Sequence, residues 1–233
     1  MFSFVEIFTN PAKVFDRVKL QQIWLAPFFA AVVVLTLPTV LVIFSAGIEL
    51  LTLQRYQHNP KLMEKIGGEE GVERAVDSSN DRWTKLLVVS RVAGTTALGL
   101  AIFAAALVLV IGFLVQRPTF FSTLGALSYS IFPFAVLGTL ISAILLAVNS
   151  DHSALDLENM PGLNLSNLLD RDASQPAIFS IASGLDVLAI GEILLLSFGL
   201  TRLTKLHYLQ AIAICGGLWT LAVLWKAAIT VYL

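Results

Sequence analysis

The sequence predicts an all-α membrane protein, in which a short N-terminal interfacial amphipathic helix precedes a bundle of five transmembrane helices. Hydrophobic residues make up 57% of the 233 residues, and only 13% are charged. A soluble domain usually has about a quarter of its residues charged, so a water-facing surface here would contain large apolar patches. Five stretches also reach the length of about 20 apolar residues that crosses a bilayer as a helix. These observations place the chain in a membrane.

The transmembrane helices divide the chain into an N-terminal interfacial segment, residues 1–23, and a transmembrane domain, residues 24–233. Helices are expected, and not the strands of a barrel, because the apolar stretches are long and continuous. The chain lacks the pattern of a cleavable signal peptide, so the first span is expected to stay in the mature protein. The spans cover about 24–48, 86–115, 124–148, 181–203 and 208–232, and the longer loops, 49–85 and 149–177, lie on the outer side.

The N-terminal segment has the pattern of an amphipathic helix at a membrane surface. Asn10 followed by Pro11 predicts an N-cap and a first helical position, and therefore two short helices instead of one. Two interpretations stay open: a simple membrane-parallel lead into the first span, and a helix that docks on the bundle or recruits a partner. The apolar stripe consists of Phe4, Phe8, Phe15 and Val18, and the bases available to anionic headgroups are Lys13, Arg17 and Lys19.

The outer loop 49–85 carries mixed charges, which favours a solvated helical hairpin over a specific binding surface. Asn59 and Pro60 repeat the signal of a helix start, and a second short helix is expected over about Glu69 to Val76. The other outer loop, 149–177, is mainly acidic. Its acidic residues and histidine, Asp151, His152, Asp156 and Glu158, lack the spacing of a calcium loop.

Neither a metal, a cofactor nor a catalytic activity is expected. The three histidines, His58, His152 and His207, fall in separate loops without the spacing of a zinc site. Phosphate loops, dinucleotide fingerprints and hydrolase motifs are missing from the sequence. The single cysteine, Cys215, cannot form a disulfide within the chain, and a net charge of −1 gives no reason to expect nucleic acid as a partner.

Four ionisable residues lie within the predicted spans: Arg91, Asp186, Glu192 and Lys226. Such residues are costly in lipid and are therefore candidates for function. The helical rise puts Arg91, Asp186 and Lys226 about 7–9 Å from the outer ends of their spans and Glu192 about 9 Å deeper than Asp186. Three interpretations stay open: ion pairs of Asp186 that fix helix register, a polar cavity with Glu192 at its floor, and snorkelling of the bases to water.

The basic residues of the short loops predict a cytoplasmic N-terminus and a C-terminus outside, in the inner membrane. Bases on the opposite face lie in longer loops and are interleaved with many acids. The bases assigned to the cytoplasmic face are Lys13, Arg17, Lys19, Arg117, Arg202 and Lys205.

Three motifs resemble the bacterial Yip-domain family, the Ypt/Rab-interacting membrane proteins. They are the Asn-Pro segment from Phe8 to Phe15, Tyr129 four residues before Pro133, and Leu185-Asp186-Val187 followed by Gly199-Leu200. The resemblance implies a cytoplasmic N-terminus and a recurrent acidic residue at Asp186. Eukaryotic relatives interact with Rab GTPases and carry a long cytosolic N-terminal region. This sequence lacks that region, which argues against binding of a small GTPase.

The functional expectation is a non-enzymatic polytopic protein that acts as a partner-binding or membrane-organising scaffold. Its partners would be the lipid bilayer and other membrane proteins, with self-association included. The alternative is a small transporter, or a transporter accessory subunit, with a polar site formed by Arg91, Asp186, Glu192 and Lys226. A hydrated cavity at Glu192 favours transport, whereas a dry and fully paired cluster favours the scaffold.

Overall fold

The computed structural model describes residues 5–57, 60–79, 81–115, 117–157, 160, 163–169 and 175–232. The described residues are 86% helical and form no strand beyond an isolated bridge between Asn164 and Asp186. The prediction of an all-α protein is therefore confirmed. The helices are α1 (Glu6–Thr9), α2 (Pro11–Gln21), α3 (Leu25–Ser45), α4 (Ile48–Gln57), α5 (Pro60–Lys65), α6 (Gly68–Ser79), α7 (Arg82–Leu114), α8 (Phe120–Val148), α9 (Pro176–Gly184), α10 (Val187–Leu203) and α11 (Tyr208–Tyr232), with 3₁₀ turns at His152–Ala154 and Leu165–Leu168.

Among the described residues, four helices are long and apolar enough to cross a membrane: α3, α7, α8 and residues Tyr208–Thr230 of α11. They carry large apolar side chains that the protein itself leaves uncovered. Phe44 is 80% exposed, Phe113 is 89% exposed and Leu209 is 78% exposed. Side chains of this kind are stable against lipid but not against water, so the chain is a membrane protein with several apolar helices.

The continuous helix predicted over 181–203 is wrong, because α9 ends at Gly184 and α10 begins at Val187. The Leu185 N–H turns back to the Ala182 carbonyl, at 3.1 Å. The Leu185 carbonyl accepts from the Leu165 N–H, also at 3.1 Å, in the loop that forms the bridge to Asp186. The loop therefore takes the backbone acceptor that a continuous helix would have used.

The chain forms two compact units, and the first consists of Met1–Leu35, Thr95–Leu137 and Val187–Leu224. In this unit α2 packs across α10, and the Phe15 ring is fully buried. The ring meets Phe198 edge-on, with centroids 6.1 Å apart. It also covers Gly199, where an added Cβ would lie 2.6 Å from a Phe15 ring carbon. Only glycine at position 199 allows the two helices to approach this closely.

The N-terminal segment forms two short helices, as the Asn10-Pro11 pair predicts. The Asn10 side chain accepts a hydrogen bond from the Lys13 N–H at 3.3 Å and caps α2. The predicted apolar stripe is wrong in part, since Phe8 is 58% exposed while Ile7 and Val14 join the buried set. The break at Asn10 shifts the helical phase, so the sequence spacing does not keep Phe8 on the same face as Phe15 and Val18. Phe4 lies outside the described residues.

The second unit consists of Thr36–Gly94, Gly138–Asp186 and Trp225–Leu233. Here α4 and α6 pack against each other as the predicted hairpin, and α6 covers the short helix expected near Glu69. The helix start predicted at Asn59 and Pro60 corresponds to α5, which begins at Pro60; Asn59 lies outside the described residues. A small apolar cluster of Val42, Leu146 and Leu157 forms the buried centre of this unit.

Gln54 of α4 attaches the start of the loop 149–177 to this unit. Its side chain is buried, with 6% exposed. Nε2 donates to the carbonyls of Leu155 at 2.9 Å and Ser153 at 3.3 Å, and Oε1 accepts from the Leu157 N–H at 3.2 Å. One amide thus forms hydrogen bonds with three backbone groups of the loop.

The Gly199→Ala variant should be destabilised by about 1–3 kcal/mol, because the new methyl group overpacks the buried Phe15 ring. Gly216→Ala in α11 is the matched control, since its added Cβ has no atom within 4 Å beyond its chain neighbours and the backbone of its own helix. The control should be neutral or gain up to about 1 kcal/mol from helix propensity. Unfolding in detergent micelles measures both free energies. Equal losses in the two variants would contradict the close contact.

The Gln54→Glu variant should lose about 1–3 kcal/mol of stability, because the carboxylate cannot donate to the Ser153 and Leu155 carbonyls. Gln57→Glu makes the same change on an exposed side chain of the same helix and should leave stability unchanged. Hydrogen exchange at the Leu157 amide, together with thermal unfolding, measures the effect. Unchanged protection in Gln54→Glu would show that the amide does not hold the loop.

Candidate functional site

A cavity of about 180 Å³ lies within the first unit, and Glu192 is the charged group among its described lining residues. The lining comes from α7, α8, α10 and α11. The space is enough for a few water molecules, each of which takes about 30 Å³ in the liquid, but it is smaller than a usual small-molecule site. The uncharged lining residues are Leu100, Phe103, Leu127, Ile131, Ala189, Ile193, Leu196, Cys215 and Trp219.

Close packing of α10 on α8 sets the position of Glu192. The residue before it, Gly191, lies against the Phe134 ring, and an added Cβ would clash with that ring. Glu192 is half-buried at the cavity wall. Cys215 is fully buried there and hydrogen bonds to Ser197, whose hydroxyl donates to the Ile193 carbonyl at 2.6 Å. The cavity thus presents one carboxyl group in an otherwise uncharged setting.

The other three residues of the predicted polar cluster belong to the second unit. Arg91 lies on an exposed face of α7, and Asp186 is half-buried at the break between α9 and α10. Lys226 Nζ donates to the Ser183 hydroxyl of α9 at 3.3 Å. Three of the four predicted residues therefore fall in one unit and Glu192 in the other. The ion pairing of Asp186 with Arg91 or Lys226 stays a prediction.

The bases of the N-terminal segment bind protein groups, which the sequence analysis did not predict. Glu6 accepts from Lys13 at 2.8 Å and from Arg17 at 2.5 Å. The hydrogen bond from Lys13, followed by the hydrogen bond and charge of Arg17, lowers the pKa of Glu6 below its usual value of 4.5. Lys13 and Arg17 therefore take part in an intramolecular ion-pair network, and their contact with lipid headgroups stays a prediction.

A second ion pair fixes α2 to the end of α10. Arg202 donates from Nε and Nη2 to the Asp16 carboxylate, at 3.1 Å and 2.7 Å. Lys19 Nζ donates to the Arg202 carbonyl at 2.9 Å, where a cation also interacts favourably with the helix dipole. Paired charges thus surround the Phe15–Gly199 contact on α2 and α10.

The acidic loop 149–177 uses polar groups at its start locally. Asp151 accepts from the Ser153 N–H at 2.9 Å and from its hydroxyl, and these bonds lower the pKa of Asp151. A ring nitrogen of His152 lies 3.0 Å from the Leu146 carbonyl. In the described ranges no three histidine, cysteine or acidic side chains come together as metal ligands. His58 and Glu158 lie outside the described residues.

The family model of the Yip1 domain matches residues 5–229, nearly the whole chain. This chain belongs to the Yip1 domain family. The resemblance found in the sequence motifs is therefore confirmed, and the Yip1 family is not known as an enzyme family. Comparison of this Yip1-domain protein with curated proteins and with solved structures returned no match.

The Glu6 network makes stability depend on pH. Because the folded pKa of Glu6 lies below its usual value of 4.5, its contribution is complete at neutral pH and is lost as the pH falls through the folded pKa. Glu6→Gln should therefore have a lower Tm than the wild type at pH 7, and this difference should vanish in acid. Thermal unfolding in detergent across this pH range measures it.

Glu64→Gln, on an exposed side chain of α5, is the control for the Glu6 variant and should match the wild-type Tm throughout. A Tm difference for Glu6→Gln that persists unchanged in acid would contradict the ion-pair network.

Proposed function

We propose that this Yip1-domain protein is a non-enzymatic, membrane-organising scaffold of the inner membrane, with α1 and α2 as its working surface. One observation carries the proposal: the N-terminal helices are fixed to the protein and still expose large apolar side chains. Val5 is 67% exposed, Phe8 is 58% exposed and Leu20 is 81% exposed. We name these three residues the apolar edge. Apolar side chains on a helix at a membrane surface insert at the boundary of headgroups and acyl chains.

The attachment of α2 determines what such insertion does. The helix is held by the buried Phe15 ring over Gly199 and by the Asp16–Arg202 ion pair. Burying one Val, Leu or Phe side chain fully contributes about 1.5–3 kcal/mol of favourable free energy. Insertion of the apolar edge can therefore displace lipid. Because α2 is fixed to α10, the apolar edge stays at the protein and displaces lipid there. A wedge held in one leaflet favours local curvature.

The proposed topology has five crossings, with α10 as the additional one. Its 17 residues correspond to about 26 Å at the helical rise and reach the lower end of the range for a spanning helix, about 17 residues. The short basic segments favour a cytoplasmic N-terminus and a C-terminus outside. The apolar edge would then lie at the cytoplasmic leaflet. The proposed partners are the bilayer and other membrane proteins, with a second copy of this chain among them.

The cavity at Glu192 favours a second candidate, a small transporter or transporter accessory subunit. A carboxyl group in a small cavity can carry a proton or bind a cation. Against this stands the composition of the cavity wall, because its described lining residues do not include Arg91, Asp186 or Lys226. The cavity lining is also otherwise uncharged. The scaffold therefore has the better support.

Reconstitution into liposomes tests both functions. The wild type should reduce vesicle diameter, as measured by cryo-electron microscopy at equal protein density. Replacing the apolar edge, as Val5→Ser/Phe8→Ser/Leu20→Ser, should abolish the effect, because serine does not insert. The control Val5→Ile/Phe8→Leu/Leu20→Met keeps an apolar edge and should act as the wild type does.

Glu192→Gln separates the scaffold from the transporter. A scaffold retains its effect on vesicle diameter in this variant and shows no ion or solute flux. Flux through wild-type proteoliposomes that disappears in a folded Glu192→Gln variant, with vesicle diameter independent of the apolar edge, would overturn the scaffold.

A further inference from the structure

A second cavity of the first unit, about 240 Å³ in volume, brings together three basic side chains from three separate segments. Lys19 comes from the end of α2, Arg117 from the connection between α7 and α8, and Lys205 from the connection between α10 and α11. The described lining residues include no acid. Besides the three bases they are Gln22, Pro118, Thr119, Ser122, Leu203 and Thr204. We name this space the basic cavity.

Each wall of the basic cavity is supported by its own contacts. Lys19 uses one N–H on the Arg202 carbonyl, which leaves two further donors on the ammonium group. The aliphatic part of Arg117 lies against Gly112, where an added Cβ would be 3.1 Å from Cγ of Arg117. Thr204 is held by its hydroxyl, which donates to the Leu200 carbonyl at 2.7 Å. The lining is thus built by packing and hydrogen bonds.

The hydroxyl groups of the basic cavity are held at the N-terminus of α8. Thr119 Oγ1 accepts from the Ser122 N–H at 3.2 Å and donates to the Ser122 hydroxyl at 2.8 Å. The positive end of the α8 dipole adds to the charges of Lys19, Arg117 and Lys205. The nearby acid Asp16 binds Arg202 and is not among the lining residues. In the described part of the chain, none of the ion pairs includes Lys19, Arg117 or Lys205.

Three cations beside one cavity repel one another, and an anion that bridges them removes this repulsion. Phosphate oxygens accept charge-assisted hydrogen bonds from Lys and Arg and ordinary hydrogen bonds from hydroxyl groups. All three bases belong to segments that flank membrane-spanning helices, so the basic cavity lies near the depth of lipid headgroups. We propose that the basic cavity binds a phosphate group, carried by an anionic lipid headgroup or by a phosphate-containing solute. This inference goes beyond the scaffold function and does not depend on it.

The test uses the full chain purified in detergent and compares two double variants that each remove one Arg and one Lys. Arg117→Gln/Lys205→Gln changes the basic cavity but keeps Lys19 and its hydrogen bond to the Arg202 carbonyl. Arg55→Gln/Lys65→Gln removes the same charges from exposed positions on α4 and α5. Arg117→Lys/Lys205→Arg keeps the charge of the basic cavity. Circular dichroism and gel filtration select the folded variants.

Two probes distinguish the sources of the phosphate group. The lipid probe is the retention of phosphatidic acid after extraction from vesicles of equal parts phosphatidic acid and phosphatidylcholine, counted by native mass spectrometry. The solute probe is the dissociation constant of inorganic phosphate by calorimetry. Binding of either probe should weaken at least about tenfold in the cavity double variant, because two charge-assisted contacts are lost. The surface control and the charge-keeping variant should bind as the wild type does.

If the cavity double variant loses binding of phosphatidic acid alone, the ligand is a lipid. If it loses binding of inorganic phosphate alone, the ligand is a solute. Either result supports the basic cavity. The inference is overturned if the wild type binds neither probe. It is also overturned if the surface control loses binding as strongly as the cavity variant, because general surface charge would then explain the retention.

Discussion

The contact between the Phe15 ring and the bare backbone of Gly199 is the constraint on which the first unit depends. It brings α2 close enough to α10 for Arg202 to reach Asp16 and for Lys19 to reach the end of α10. Removing the close approach would separate these charges, which contribute little as exposed pairs unless packing holds them together. A buried apolar contact therefore positions the polar groups around it. It also positions α2, which contributes Leu20 to the apolar edge and Lys19 to the basic cavity.

A membrane also determines how the polar groups inside the helices are used. In hydrocarbon every hydrogen-bonding group has to find its partner within the protein. Buried serines in α8 accordingly donate to the carbonyl one turn earlier, as Ser128 does to Leu124 and Ser142 does to Gly138, at 2.8 and 2.9 Å. Gln54 likewise hydrogen bonds to the backbone at the start of the loop 149–177. These polar side chains satisfy the backbone and are structural. Glu192 lies on a cavity wall.

Much of the secondary structure followed from local patterns. Hydropathy located α3, α7, α8 and α11, and the Asn10-Pro11 pair located the break between α1 and α2, because a cap and a proline act within one turn. The break between α9 and α10 was missed, since the competing partner of the Leu185 carbonyl is Leu165, about twenty residues earlier. The candidate site was predicted only in part. Glu192 was recognised as unusual, but its apolar cavity is formed by the packing of four helices, and hydropathy carries no information about that packing.

The sequence by itself determined that this chain is a helical membrane protein of the Yip1 family, because composition, span length and short motifs are local properties. Tertiary structure alone decided which charges meet. Lys13 and Arg17, expected at headgroups, bind Glu6, while Lys19, Arg117 and Lys205, scattered over the sequence, line one cavity. The physical reason is that ion pairs and cavities depend on distances of a few ångströms between segments. Those distances are set by close contacts such as Phe15 on Gly199, which no periodicity encodes.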